Sequence, residues 1–137
     1  MKLLVTGAAG MLGRDVMLAA GNAGHDVVGF GRAELDIADA AALGKKFDLE
    51  RPDVVINCAA WTDVDGAEEA EADALAINGT GAGNVAAAAA AVGASVVYVS
   101  SDYVFDGNKG EPYVESDQTA PLSAYGRTKL AGEEETM

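Results

Sequence analysis

The chain has 137 residues, 50% of them hydrophobic and 23% charged, which suits one hydrophobic core and leaves no room for two. Lys and Arg number 9 against 22 Asp and Glu, a net charge of -13 that argues against a general nucleic-acid grip and against attraction to an anionic membrane surface. Three prolines exclude a proline-rich linker, and a single cysteine, Cys58, excludes a disulfide framework and a cysteine-built zinc site.

Strand and helix signals alternate along the chain. Lys2 to Thr6 reads as a short strand met at once by glycines, and Met1 to Gly7 has no secretory apolar core or cleavage site. Met11 to Ala20 reads as a helix with Met11, Leu12, Val16 and Leu18 on a partly apolar face, closed by Gly21 and Gly24. Asp26 to Phe30 is a second strand. Asp39 to Leu49 is a second helix, with Leu43 and Phe47 at i, i+4. Pro52 precedes a third strand, Val54 to Asn57, whose continuous apolar run suits burial on both faces. From about Ala67 to Val92 the pattern is helical, interrupted around Asn78-Gly79-Thr80-Gly81. The alanines from Ala86 to Ala91 favour helix and let it lie close to a sheet. No apolar run here or elsewhere is expected to reach the roughly 20 residues of a membrane helix. Gly93 ends the helix, and Ser95 to Ser100 is a fourth strand. Asp102 to Leu122 is a polar loop of a length that is usually functional. Ser123 can cap a last helix running into Glu133 to Glu135.

The order β-α-β-α-β-α-β demands parallel strands and right-handed crossovers. The expected fold class is α/β: a doubly wound, Rossmann-like parallel sheet ordered 3-2-1-4. The expected compartment is the cytoplasm. The acidity fits an ordinary acidic surface or a high-salt habitat that screens self-repulsion.

Three groups of residues point to chemistry. Gly7-Ala8-Ala9-Gly10-Met11-Leu12-Gly13 lies between the first strand and the first helix. Glycines there let the backbone approach a pyrophosphate, and the helix N-terminus offers free N–H groups and a positive dipole end. After the second strand no acid appears until Glu34. Arg32 can pair with a 2′-phosphate, favouring NADP, or can be an ordinary surface arginine. Tyr125 and Lys129 stand at i, i+4 on one helix face, where an ammonium can lower the pKa of a phenol. Ser100-Ser101-Asp102-Tyr103 follows the fourth strand, at the sheet edge where ligands bind in such folds. A hydroxyl there can hold a substrate carbonyl beside the tyrosine. Asp63, Asp65, Glu68, Glu69, Glu71 and Asp73 read as solvated carboxylates near helix starts rather than a metal cluster. Cys58 reads as a small hydrophobe.

These residues resemble the dTDP-4-dehydrorhamnose reductases of the extended short-chain dehydrogenase/reductase superfamily. The likeness runs through Val5 to Gly13, Leu35-Asp36-Ile37, Arg51 to Ala60, Thr62 to Asp65 and Asn78. It continues through Ser100 to Gly107, Pro121-Leu122 and Tyr125 to Glu133. It implies NAD(P)H-dependent reduction of the 4-keto group of dTDP-4-dehydro-L-rhamnose, with NADP or NAD as cofactor and a nucleotide sugar as partner. It implies Tyr125 as proton donor, Lys129 as its tuner and ribose ligand, and Ser101 assisting. Gly7, Gly10, Met11, Leu12 and Gly13 are implied at the pyrophosphate, Asp36 and Ile37 near the adenine, and Ala59, Ala60 and Trp61 along the cofactor channel. Thr62, Val64, Asp102 and Tyr103 match positions that face the sugar. The resemblance admits a homodimer, and no metal site is assigned. It also implies that the sheet continues beyond Lys129, so that residues 1–137 are expected to be one NAD(P)-binding domain cut from a larger enzyme. A non-catalytic relative of the same fold, resembling the regulatory subunit of methionine adenosyltransferase, is the alternative.

Overall fold

The computed structural model describes all of residues 1–137. Its four strands are β1 (Lys2–Thr6), β2 (Asp26–Phe30), β3 (Val54–Asn57) and β4 (Ser95–Tyr98). They are joined by α1 (Met11–Asn22), by α2 (Ala40–Glu50) and by a helical run before β4. That run comprises α3 (Val64–Glu69), α4 (Glu71–Leu75), a π-helical segment (Ala76–Gly81) and α5 (Ala82–Val92). A 3-10 turn (Asp102–Val104) opens the long loop, and α6 (Ala124–Thr136) closes the chain. The expected helix boundaries have physical marks. Asp39 caps α2 by accepting from Ala42 N, and Ser123 caps α6 by accepting from Gly126 N at 3.0 Å. Gly93 ends α5 with φ 76, a conformation that costs glycine nothing.

All strand pairs are parallel, as expected, but the order is β2-β1-β3-β4 rather than 3-2-1-4. The third strand passes back over β1 instead of extending the sheet beyond β2. Burial gives the reason. β1 and β3 carry the continuous apolar runs Leu3-Leu4-Val5 and Val54-Val55-Ile56, and they pair with Val55 opposite Leu4 at the sheet centre. β2 begins with an exposed Asp26, carries Gly29 and sits at the edge. Because β1→β2 and β2→β3 run in opposite directions, right-handed crossovers place α1 and α2 on opposite faces.

The core lies on the face of α2 and α5, where Leu4, Leu43, Phe47, Val55 and Val85 are completely buried. α1 covers the other face more thinly, burying only Gly13 and Ala20. Val96 packs against the core, so strand alternation turns Val97 to the α1 side, where it is 49% exposed. The expectation that no segment could match a membrane helix needs correcting. Glu71–Val92 is one continuous helical run of 22 residues containing an 18-residue stretch of mean hydropathy 1.2, long and apolar enough by composition alone. In the fold its Ala74, Ala82, Val85, Ala88 and Ala89 are buried against the sheet and neighbouring helices, as a core helix requires.

Candidate active site

The turn after β1 is built on backbone contacts. Gly7 has φ +66, and a Cβ there would fall 2.6 Å from Ala59 N. A Cβ on Gly13 would overlap the Gly7 carbonyl, so α1 lies directly on the turn. Gly10 begins α1 without any side-chain cap, which leaves the first N–H groups of the helix to a ligand.

Beside this turn a cavity of about 400 Å³ opens at the carboxyl edge of the sheet. Gly7, Gly10, Arg32, Asp36, Ile37, Ala59, Ala60 and Trp61 line it, together with Ala9, Gly31, Leu35, Cys58 and Ile77. Met11, Leu12 and Gly13 do not: the first two are exposed and the third is buried under the turn. Arg32 is 84% exposed, with Nε 3.8 Å from Asp36 Oδ2.

Tyr125, Lys129 and Ser101 stand outside that cavity wall. Tyr125 is half-buried, its ring edge-to-face with Tyr103 at 5.6 Å and 83°. Tyr103 and Asp102 line a second cavity of about 340 Å³, with Phe105, Tyr113 and Leu122. The Ser101 hydroxyl accepts from Tyr103 N at 3.2 Å, capping the 3-10 turn, and lies 3.3 Å from Asp102 Oδ1. Thr62 is exposed and Val64 half-buried at the start of α3, and neither lines these two cavities. Lys129 is almost completely buried, and its Nζ donates to Val99 O at 2.6 Å.

Burial pulls the Lys129 ammonium down to about 8, with Glu133 partly opposing. An unfolded lysine titrates near 10.5. Between those values the unfolded chain holds a proton that the folded chain has released, so this group makes stability rise with pH. Below about pH 8 the cost of the buried charge is present in full. Wild-type stability relative to Lys129→Met is therefore expected to climb between pH 8 and 10, read as Tm at each pH. A gap that does not move with pH would contradict it.

The two parts of the site are joined by Asn78, which is 1% exposed inside the π-helical segment. Its Oδ1 accepts from Trp61 N at 2.8 Å, and its Nδ2 donates to Trp61 O and to Thr128 Oγ1 at 3.0 Å. Trp61 lines the first cavity and Thr128 lies between Tyr125 and Lys129. Trp61 and Tyr125 also pack against one small cluster, Ala67, Ala74 and Ala124. This is a glycine turn and cavity braced against a Tyr/Lys helix.

The family model described as RmlD substrate binding domain matches residues 1–137. The chain belongs to this family. It is 50% identical over 130 residues to dTDP-4-dehydrorhamnose reductase of Streptomyces griseus, covering 95% of this chain and 43% of that one. It is 46% identical to dTDP-4-keto-6-deoxy-D-glucose reductase of Streptomyces niveus, covering 98% and 46%. The crystal structure of dTDP-4-dehydrorhamnose reductase from Bacillus anthracis in complex with NADP superposes with a TM-score of 0.95 at 39% identity, covering 98% of this chain and 48% of that one. The chain thus spans less than half the length of these relatives.

Carboxylates expected to be solvated make specific contacts in the RmlD domain. Glu68 and Glu71 do not stand free in solvent. Glu68 Oε1 accepts from Ala124 N at 2.7 Å, and Glu71 takes both Arg127 Nε and Nη2, at 2.7 and 2.8 Å. The two carboxylates thereby hold α6 on either side of Tyr125. Asp63 caps α3 by accepting from Gly66 N. Cys58, expected to act as a small hydrophobe, is half-buried in the first cavity, and burial raises its thiol pKa. The adjacent Ala59 and Ala60 were the only signal for it; Ile77 had none.

Proposed function

We propose that residues 1–137 form one NAD(P)-binding domain of a reductase that converts a 4-keto dTDP-6-deoxyhexose, dTDP-4-dehydro-L-rhamnose, to dTDP-L-rhamnose in the cytoplasm. The observation that carries this reading is the 400 Å³ cavity at the sheet edge, entered at the uncapped N-terminus of α1. A dinucleotide fits the donors present. The free N–H groups at Met11 and Leu12 suit a pyrophosphate, while Gly10 N–H is held by Gly7 O at 2.9 Å, and Gly7 and Gly13 let the turn close against the Ala59 backbone and α1. Asn57 Nδ2 and Ser100 Oγ, at and just beyond the carboxyl ends of β3 and β4, are buried without protein partners, which leaves polar valence for a ligand.

When bound, the nicotinamide supplies the hydride. Every other task falls to this chain. Asp36 and Ile37 hold the adenine end, and Ala59, Ala60 and Trp61 wall the channel. Tyr125 donates its phenol proton to the carbonyl oxygen as negative charge develops there. Lys129 keeps positive charge near that phenol and holds the ribose. Ser101 can go on accepting from Tyr103 N while its proton turns from Asp102 to the substrate oxygen. Thr62, Val64, Asp102 and Tyr103 form the sugar side.

The test mixes the full-length protein that carries this domain with NADPH and dTDP-4-dehydrorhamnose and follows loss of the nicotinamide absorbance. Consumption that needs both components supports the reading. Tight NADPH binding without any oxidation would instead favour a regulatory subunit.

Arg32 has to leave Asp36 to meet a 2′-phosphate, an exchange of one charge-assisted contact for another. Arg32→Ala is expected to weaken NADPH binding roughly tenfold and leave NADH nearly unchanged, by calorimetric titration. Equal losses for both cofactors would show that Arg32 acts through the fold.

A further inference from the structure

Tyr98 ends β4, half-buried beneath α6, and the reduction proposed above gives it no task. Its ring lies under Lys129, whose Nζ is 4.2 Å from the ring centroid. The same Nζ donates to the Val99 carbonyl at 2.6 Å. Lys129 forms no salt bridge, although five others occur in the molecule. One carbonyl and one aromatic face are therefore the direct partners of this buried ammonium, and the Glu133 carboxylate acts on it without a salt bridge.

The ring is itself fixed. Its hydroxyl lies 3.2 Å from the Asn78 carbonyl and 3.3 Å from the Lys129 carbonyl, with one proton shared between two acceptors. That places the Tyr98 oxygen between the π-helical segment and α6. Gly132 leaves the room for it: a Cβ there would overlap both Tyr98 Oη and Asn78 O. Two features of the chain, a glycine on α6 and a carbonyl in the π-helical segment, thus converge on the far end of one phenol. The near end presents its face to the ammonium. A cation over an aromatic face is drawn to the ring quadrupole, and more strongly once desolvated. A lysine side chain is otherwise a flexible stem with many rotamers, so a platform of this kind selects one position for its charge.

We propose that Tyr98 is a positioning residue for Lys129: its ring face sets where the ammonium stands. The consequence for catalysis rests on the reductase reading above, whereas the contact itself does not.

The experiment therefore has two readouts. In proton-carbon NMR spectra of the protein with labelled lysine, the ε-methylene of Lys129 is assigned by its loss in Lys129→Met. It is expected upfield of the remaining lysines, displaced by the ring current of Tyr98. Tyr98→Phe keeps the ring and should keep the shift; Tyr98→Leu removes the ring and should abolish it. In NADPH-dependent reduction of dTDP-4-dehydrorhamnose, Tyr98→Leu should lower kcat roughly tenfold, with Tyr98→Phe restoring most of that loss. A Lys129 signal at the ordinary lysine position in the wild type overturns the proposal, even if the leucine variant does not fold. So does a phenylalanine variant that loses as much kcat as the leucine one, because the hydroxyl alone would then account for the effect. If no preparation oxidises NADPH while the shift pattern appears as expected, the reductase reading fails and the positioning of Lys129 stands.

Discussion

Tyr125→Phe is expected to lower kcat by about 10²–10⁴ while NADPH affinity barely changes. Hydride arriving at a ketone carbon leaves negative charge on oxygen, and a donor has to be in place at that moment. Phenylalanine removes the donor and little else. The Tyr125 ring stays edge-to-face with Tyr103 and against Ala67, Ala74 and Ala124. Its hydroxyl makes no hydrogen bond within the protein, so stability should hold. Steady-state rates across pH, with Tm and NADPH titration as controls, measure all three quantities. Full kcat retained at every pH would remove Tyr125 from the chemistry and move the regulatory-subunit reading ahead.

Gly13→Ala should be among the most damaging single substitutions in the chain. Its methyl would meet the Gly7 carbonyl and lie 2.7 Å from Ala8 Cα, both backbone atoms with no flexible end to yield. Gly7 cannot retreat, because its own Cα already faces the Ala59 backbone. α1 must lift from β1, a cost near 3 kcal/mol at the upper end of overpacking effects, or roughly 10 °C in Tm. NADPH binding should fall with it. Gly10→Ala is the contrasting case, since its Cβ would meet only Gly7 O, at 3.2 Å, on an exposed turn. There the loss should appear in NADPH affinity with Tm nearly intact. Equal Tm values for Gly13→Ala and the wild type would mean that the turn is not braced by α1.

The strands were legible because each is a run of apolar residues bounded by glycine, proline or acid. Their order was not. A pattern of apolar residues says that a strand is buried, and the choice of neighbour depends on how the whole sheet ranks them. Val54-Val55-Ile56 outcompetes Asp26 to Phe30 for the centre only when both are seen against β1. The glycine turn, the Ser123 cap and the i, i+4 placement of Tyr125 and Lys129 follow from local rules, and those could be read directly. Spacing gave the helix face of Lys129 but not what its long stem reaches, which is Val99 O and the Tyr98 ring. Glu68 and Glu71 looked like solvated acids because their partners on α6 lie 56 residues away. Asn78 showed as an interruption in a helix; its bonds to Trp61 and Thr128 depend on the winding there.

That winding makes chain length a constraint at this place. A π turn holds one more residue than an α turn closed at the same point. Removing one residue between Ala76 and Gly81 would let the run close as ordinary α-helix with its two ends near their present orientation, but the residues inside the segment would turn to new directions. Asn78 would then face away from Trp61 or from Thr128, and Tyr98 would lose the carbonyl beside its hydroxyl. Exposed Thr80 can change identity at small cost, but a deletion at the same position would dismantle the joint between the first cavity and the helix of Tyr125 and Lys129. Keeping this joint therefore fixes the residue count here as firmly as it fixes Asn78 itself.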